Sequence, residues 1–154
     1  MSELTAGDLA PDFTLPLGSG ETFSLADAHG KKLVLYFYPK DNTKGCTIEA
    51  IEFTSLAEAF EKENTLIIGI SPDSVKSHVK FQEKHDLNIH LGADEDHVIA
   101  EAYGVWKEKS MYGKTYMGIE RSTFLIDEDG KILNVWRKVK AAGHASAVLE
   151  SVKG

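Results

Sequence analysis

The chain contains one cysteine, Cys46, so no internal disulfide can form and the core alone must hold the fold. A lone thiol suits a reducing compartment, and the polar opening MSELTAGDLAPDF lacks the apolar stretch of a secretory signal, so a cytoplasmic protein is expected. No run approaches the roughly 20 apolar residues needed to cross a bilayer. Positive charge is also scarce: Lys+Arg 17 against Asp+Glu 24 leaves a net charge of -7. That balance disfavours nucleic acid and anionic membrane, where binding rests on neutralising phosphates, and leaves small neutral substrates open. Repeats, low-complexity tracts and linkers are missing too, so residues 1–154 read as a single domain, long enough to bury a core without staples.

The six histidines (His29, His78, His85, His90, His97 and His144) show no metal-ligand spacing, so surface or helix positions are expected and no metal or other cofactor is implied. The tripeptide GKT at 113–115 echoes the end of a phosphate-binding loop. The first glycine of that pattern would fall at Glu108 and no strand precedes it, so nucleotide binding is excluded by this route.

What is present alternates in type. DFTLPL, GSGE and TFSLADAHG read as a small antiparallel hairpin followed by a loop closed at Gly30. KKLVLYFYP is a near-continuous apolar run, the pattern of a strand covered on both faces, stopped by Pro39. Residues 44–64 read as one helix with Phe53, Leu56, Ala57 and Phe60 on a single stripe. TLIIGIS is a second buried strand, and PDSVKSHVKFQEKHDL a helix entered through Pro72 and Asp73. NIHLGAD is a short strand, and DEDHVIAEAYG a helix ending at Gly104. Residues 105–120 read as a long loop, RSTFLIDEDGKILNVW as a hairpin around an Asp-Gly turn, and GHASAVLESVKG as an amphipathic closing helix. The sum is a three-layer α/β domain, a mixed sheet with helices on both faces.

Within DNTKGCTIEAIEF, at about 100° per residue, Cys46 falls within about 20° of the stripe marked by Phe53. It therefore points inward, but from the helix's first turn. Unpaired backbone N–H groups and the helix dipole there favour an anion, and so a thiolate. Asn42 and Thr43 can cap, and Gly45 removes a side chain where a small molecule would approach. Glu49 is one turn away, where it can order the pocket's hydrogen bonds or serve as an ordinary dipole partner. Trp106, with Tyr112 and Tyr116, can either cover the mouth of such a site or pack the long loop to the core. A buried, inert cysteine and a reactive thiol stand level on this local reading.

The stretch YPKDNTKGCT, residues 38–47, resembles the peroxiredoxin pattern of Pro, Thr and peroxide-reacting Cys, carried here on Pro39, Thr43 and Cys46. GVWKEKSMYGKTYMGIERSTFLID, residues 104–127, resembles the Q-type subgroup, the bacterioferritin comigratory proteins, and contains Arg121 where that family sets an Arg beside the thiol. GDLAPDFTLP and GHASAVLESV are similar as well, so the likeness spans nearly the whole chain. The resemblance implies a thioredoxin-like fold with an N-terminal β-hairpin, and thiol-dependent reduction of hydrogen peroxide or organic hydroperoxides through a sulfenic acid on Cys46. It gives Arg121 and the helix N-terminus the task of stabilising charge, Thr43 a hydrogen bond to thiolate and peroxide, Pro39 a shielding role, and the Gly45 to Cys46 turn the task of holding substrate. On bland readings Thr43 is only a cap, Pro39 a strand terminator and Arg121 a surface cation.

The sequence departs from that pattern in one respect. Many Q-type proteins carry a resolving cysteine five residues after the first, where this chain has Ile51, and others carry it near residues 80–85, which hold none. Ile51 is neither Ser nor Ala, the usual engineered replacements, and is read as the natural residue. A one-Cys enzyme is therefore expected, recycled by thioredoxin, by glutaredoxin or by a low-molecular-weight thiol, or else through Cys46 of a second molecule, and working as a monomer or weak homodimer. Two rival readings are a Cys/His hydrolase, for which no partner histidine is placed, and a non-catalytic thioredoxin-like oxidant sensor or client-binding module. About 160° separates Ile51 from Phe53 on the helix, which puts Ile51 with Ile48 away from the core stripe.

Overall fold

A five-stranded mixed sheet organises residues 4–153, the part of the chain that the computed structural model describes. Ahead of it, β1 (Thr14–Pro16) and β2 (Thr22–Ser24) form the expected antiparallel hairpin, followed by a 3-10 turn over Leu25–Ala28. The apolar run becomes β3 (Lys32–Phe37), which leads through a tight loop into α1 (Lys44–Ser55) and α2 (Ala57–Lys62). Then follow β4 (Thr65–Ser71), α3 (Val75–His85), β5 (His90–Ala93) and α4 (Val98–Ala102). The chain ends with the hairpin β6 (Trp106–Met111) and β7 (Lys114–Ile119), then β8 (Ser122–Ile126), β9 (Ile132–Trp136) and α5 (His144–Lys153). Spatial order in the sheet is β5-β4-β3-β8-β9; β3, β4 and β5 run parallel, while β8 and β9 are antiparallel to their neighbours.

Strand alternation in β3 divides the core. Leu33, Leu35 and Phe37 join Ile68, Ile70, Phe124 and Ile126 on the face covered by α4 and the N-terminal hairpin. Val34, Tyr36 and Tyr38 face the other way, into a cluster with Cys46, Ala50 and Phe53 of α1, Phe60 of α2, Phe81 of α3 and Val148 of α5. The cysteine thus belongs to the helix-rich face. No helix among the described residues is long and apolar enough to cross a membrane.

Three sequence expectations are corrected. The single helix over 44–64 is broken at Leu56, whose φ of -101° and ψ of 4° leave the helical region. Ser55 contributes by donating its hydroxyl to the Glu52 carbonyl at 2.8 Å, in competition with the backbone ladder. Residues 105–120 are a two-stranded ribbon rather than a loop: Tyr112 and Gly113, with φ of 53° and 76°, make the two-residue turn that suits antiparallel strands. Its strands, WKEKSM and KTYMGI, are largely exposed, so they carry no apolar alternation for a sequence reading to detect. The α3 cap also shifts, to Ser74, whose hydroxyl accepts from the Ser77 N–H at 3.1 Å.

Tyr36 shows how closely the α1 face is fitted. Its ring stacks on Phe53 with centroids 4.7 Å apart and lies over Gly69 of β4. A Cβ at residue 69 would stand 2.6 Å from Tyr36 Cζ, inside contact distance. Gly69→Ala should therefore destabilise the fold by about 1–3 kcal/mol through overpacking, read as a lower urea midpoint at unchanged slope. A wild-type midpoint would contradict this packing.

Candidate active site

Topology brings three separate segments to one end of the sheet. β3 delivers the chain to the loop at 39–43, and α1 starts at Lys44, with Cys46 in its first turn. Since β8 is antiparallel to β3 and Ser122 pairs with Phe37, the residue before Ser122 arrives beside the same loop. That residue is Arg121. The loop itself is tied to α3: the Asp41 carboxylate accepts from Tyr38 Oη at 2.5 Å and Ser77 Oγ at 2.8 Å, and meets His78 Nδ1 at 2.7 Å. His78 Nε2 faces the Gly92 carbonyl at 2.9 Å, an acceptor only, so this nitrogen carries a proton. The Asp41 N–H donates to Asp73 at 2.7 Å, completing a buried polar clamp between the loop and the start of α3.

Around the thiol, Arg121 divides its donors. Nη2 donates to Cys46 Sγ at 3.3 Å and Nη1 to Glu49 Oε1 at 2.6 Å. Cys46 is only 1% exposed and Glu49 is fully buried. Burial pushes the Glu49 carboxyl up to about 7, with Arg121 pulling the other way, because Oε2 has no protein partner and only one oxygen is compensated. Tyr36, directly behind, is pushed well above the usual phenol range by burial, with the charges of Glu49 and Cys46 adding to it. Arg121 itself is raised: its burial is outweighed by Glu49 and Cys46, so the guanidinium stays charged.

The sequence candidates fall into place unevenly. Thr43 is the N-cap by position, yet its hydroxyl donates backwards to the Lys40 carbonyl at 2.9 Å and makes no cap bond, leaving the first-turn N–H groups of α1 open. Gly45 makes room for Arg121: a Cβ there would lie 3.1 Å from Nη2. Pro39 follows Tyr38 in the loop and is half-buried. Glu49 is the anchor of the Arg rather than a mere dipole partner. Trp106 stacks on His97 with centroids 4.0 Å apart and packs against the core cluster of the other sheet face from the one that holds Cys46. Tyr112 is exposed at the ribbon tip, and Ile51 is exposed on α1.

Sequence reasoning missed three neighbours. Tyr36 was available from the period-2 alternation of LVLYFYP, which sets Tyr36 on the α1 face. Lys109 lies on the ribbon that was read as a loop; partial burial and then the Arg121 charge lower it, while the Cys46 charge opposes them. His144, at the start of α5, meets Thr123 Oγ1 through Nε2 at 2.7 Å, and burial, then Arg121, hold it down to about 4, so it is neutral at physiological pH. His78 and His144 are both buried, and no group of three or more His, Cys, Asp or Glu among the described residues could hold a metal.

Glu49 predicts a pH signature. Its carboxyl moves from 4.5 to about 7 on folding, so the native state holds an extra proton between those values. Stability contributed at Glu49 is greatest at and below the ordinary carboxylate range and falls as pH rises through about 7. The urea midpoint of the wild type should decline over that window relative to Glu49→Gln, then run parallel to it at higher pH. A midpoint difference independent of pH would contradict the raised carboxyl.

Residues 6–135 match the model of the AhpC/TSA family. Peroxiredoxin Bcp of Bacillus subtilis is 52% identical over 147 residues, covering 96% of this chain and 94% of the relative. Peroxiredoxin Bcp of Escherichia coli K12 is 44% identical over 153 residues, covering 99% and 98%. Among solved structures, PrxQ of Xylella fastidiosa superposes with a TM-score of 0.94 at 42% identity, covering 99% of this chain and 98% of that one. The bacterioferritin comigratory protein of Xanthomonas campestris, solved as a trapped intermediate/ligand complex in connection with its alkyl peroxide reduction activity, gives 0.88 at 47%, covering 92% and 90%. With the mixed sheet, the N-terminal hairpin and the Cys46–Arg121 contact, these likenesses identify the chain as a thioredoxin-fold peroxiredoxin of the AhpC/TSA family, in its Bcp or Q-type branch, carrying a single cysteine.

Proposed function

We propose that this protein is a one-Cys thiol peroxidase that reduces hydrogen peroxide and organic hydroperoxides at Cys46 and is recycled by a thiol from outside the chain. The observation that carries the reading is the Arg121 fork, one arm on Cys46 Sγ at 3.3 Å and the other on Glu49. The thiolate attacks the near peroxide oxygen in line; the S–O bond forms as the O–O bond breaks, and the distal oxygen leaves as water or alcohol after taking a proton. The charge that builds on that oxygen meets Arg121 and the open N–H groups of the first turn of α1. The Thr43 hydroxyl donates to the Lys40 carbonyl and so keeps its oxygen free to accept from the peroxide O–H. Pro39 and Gly45 shape the approach. The alkyl peroxide reduction described for the Xanthomonas relative supports hydroperoxides as the substrate class.

With one cysteine in the chain, the sulfenic acid has no internal thiol to condense with. One equivalent of hydrogen peroxide should therefore give a sulfenic acid on Cys46 that a dimedone probe traps as a single adduct by mass spectrometry, absent from Cys46→Ser. Oxidation no faster than that of free cysteine would instead favour the non-catalytic sensor or client-binding module.

A further inference from the structure

Beside the active-site loop lies a groove of about 380 Å³, formed between residues 41–42 and the outer face of α3. Its volume falls in the range of small-molecule sites. Lys76, Lys80 and Lys84 line it, spaced i, i+4 and i+8 along one stripe of α3 that spans about 12 Å. None of the three forms an ion pair with another described residue, in a chain whose net charge is -7. The one carboxylate in the lining, Asp41, is already met by Tyr38, Ser77 and His78. The groove's available charge is therefore positive, set against an acidic molecule.

The groove also borders the loop that leads into α1, and Cys46 itself lies just outside its lining, behind that loop in the chain. Asn42 lines it four residues ahead of Cys46 and is held by His85 Nε2 at 3.1 Å. Phe81 forms part of its wall, packs near Tyr38 with centroids 6.4 Å apart, and shares a core cluster with Cys46. Resting on the one-Cys reading above, we infer that this groove docks the reductant, and that the reductant is a low-molecular-weight thiol bearing carboxylates. The carboxylates pair with the three ammonium groups, and the Ser74 and Asn42 side chains supply polar contacts. The docked thiolate attacks Sγ of the Cys46 sulfenic acid; an S–S bond forms, the S–O bond breaks, and hydroxide leaves as water after taking a proton. A second thiol of the same class attacks the mixed disulfide, releasing the Cys46 thiolate and the oxidised small thiol. Two thiols lose two electrons and one peroxide gains them.

The test uses full-length protein oxidised with one equivalent of peroxide, then mixed with glutathione, with its diethyl ester, which carries the same thiol without carboxylates, or with a thioredoxin. Wild type is compared with K76E/K80E/K84E, with the milder K76Q/K80Q/K84Q, and with the charge-matched control K62E/K131E/K153E. The charge reversal should slow reduction by glutathione by about tenfold or more, the Gln variant less, and added salt should slow the wild type. Reduction by the ester should change by less than about twofold, and the control should follow wild type. Equal losses with glutathione and ester, an equal loss in the control, no loss at all, or reduction by thioredoxin alone would each overturn the inference. The preceding oxidation step is scored separately on wild type, so its failure counts against the peroxidase reading and not against the groove.

Discussion

The guanidinium of Arg121 sits between a thiol and a carboxylate that the fold has taken out of water. A thiolate or a carboxylate alone at that depth would carry a large desolvation cost, and Arg121 gives each group one directed donor. Much of the surrounding architecture serves this contact. β8 runs antiparallel to β3 so that the residue before its first pair lands at the mouth of α1. Gly45 leaves room for the guanidinium, and Gly69 leaves room for Tyr36 behind Glu49. His144, although close enough to feel the cation, is held neutral and adds no charge.

The compensation is incomplete, which gives the site its character. Glu49 has one oxygen on Arg121 and one without a protein partner, so burial still raises it to about 7. A carboxyl poised near neutrality behind a cation modulates how much of that cation's charge is directed at the sulfur. The partly buried Lys109 adds a second positive group from the ribbon side. The loop holding Thr43 is in turn fixed to α3 by the Asp41–His78 clamp, so the geometry of the first turn depends on a helix that makes no direct contact with the thiol in the hydrogen bonds described.

The central strand, the closing hairpin and the terminal helix were legible because each carries a strong period or turn signal. Cys46, Thr43, Pro39 and Arg121 were legible as a motif, but local reasoning alone left Cys46 undecided between inert and reactive. The failures share a cause: information held in tertiary packing. The ribbon at 106–119 has polar faces and was read as a loop, and with it went Lys109 and the true place of Trp106. Glu49 was legible as a residue one turn from Cys46 that could order the pocket or serve as a dipole partner, but nothing in its neighbours announces that a residue 72 positions away will bind it. The break at Leu56 lies within an otherwise good helical stripe and depends on a serine hydroxyl.

On the proposed mechanism Arg121 stabilises the charge transferred through Cys46 rather than merely filling the site. Second-order rate constants for Cys46 with hydrogen peroxide and, separately, with iodoacetamide measure this in wild type and Arg121→Ala. Arg121→Ala should lower the peroxide rate by about 10²–10³, the size of losing one positioned donor to a developing anion, and change the rate with the alkylating agent much less. Equal falls with both reagents, or an unchanged peroxide rate, would contradict it.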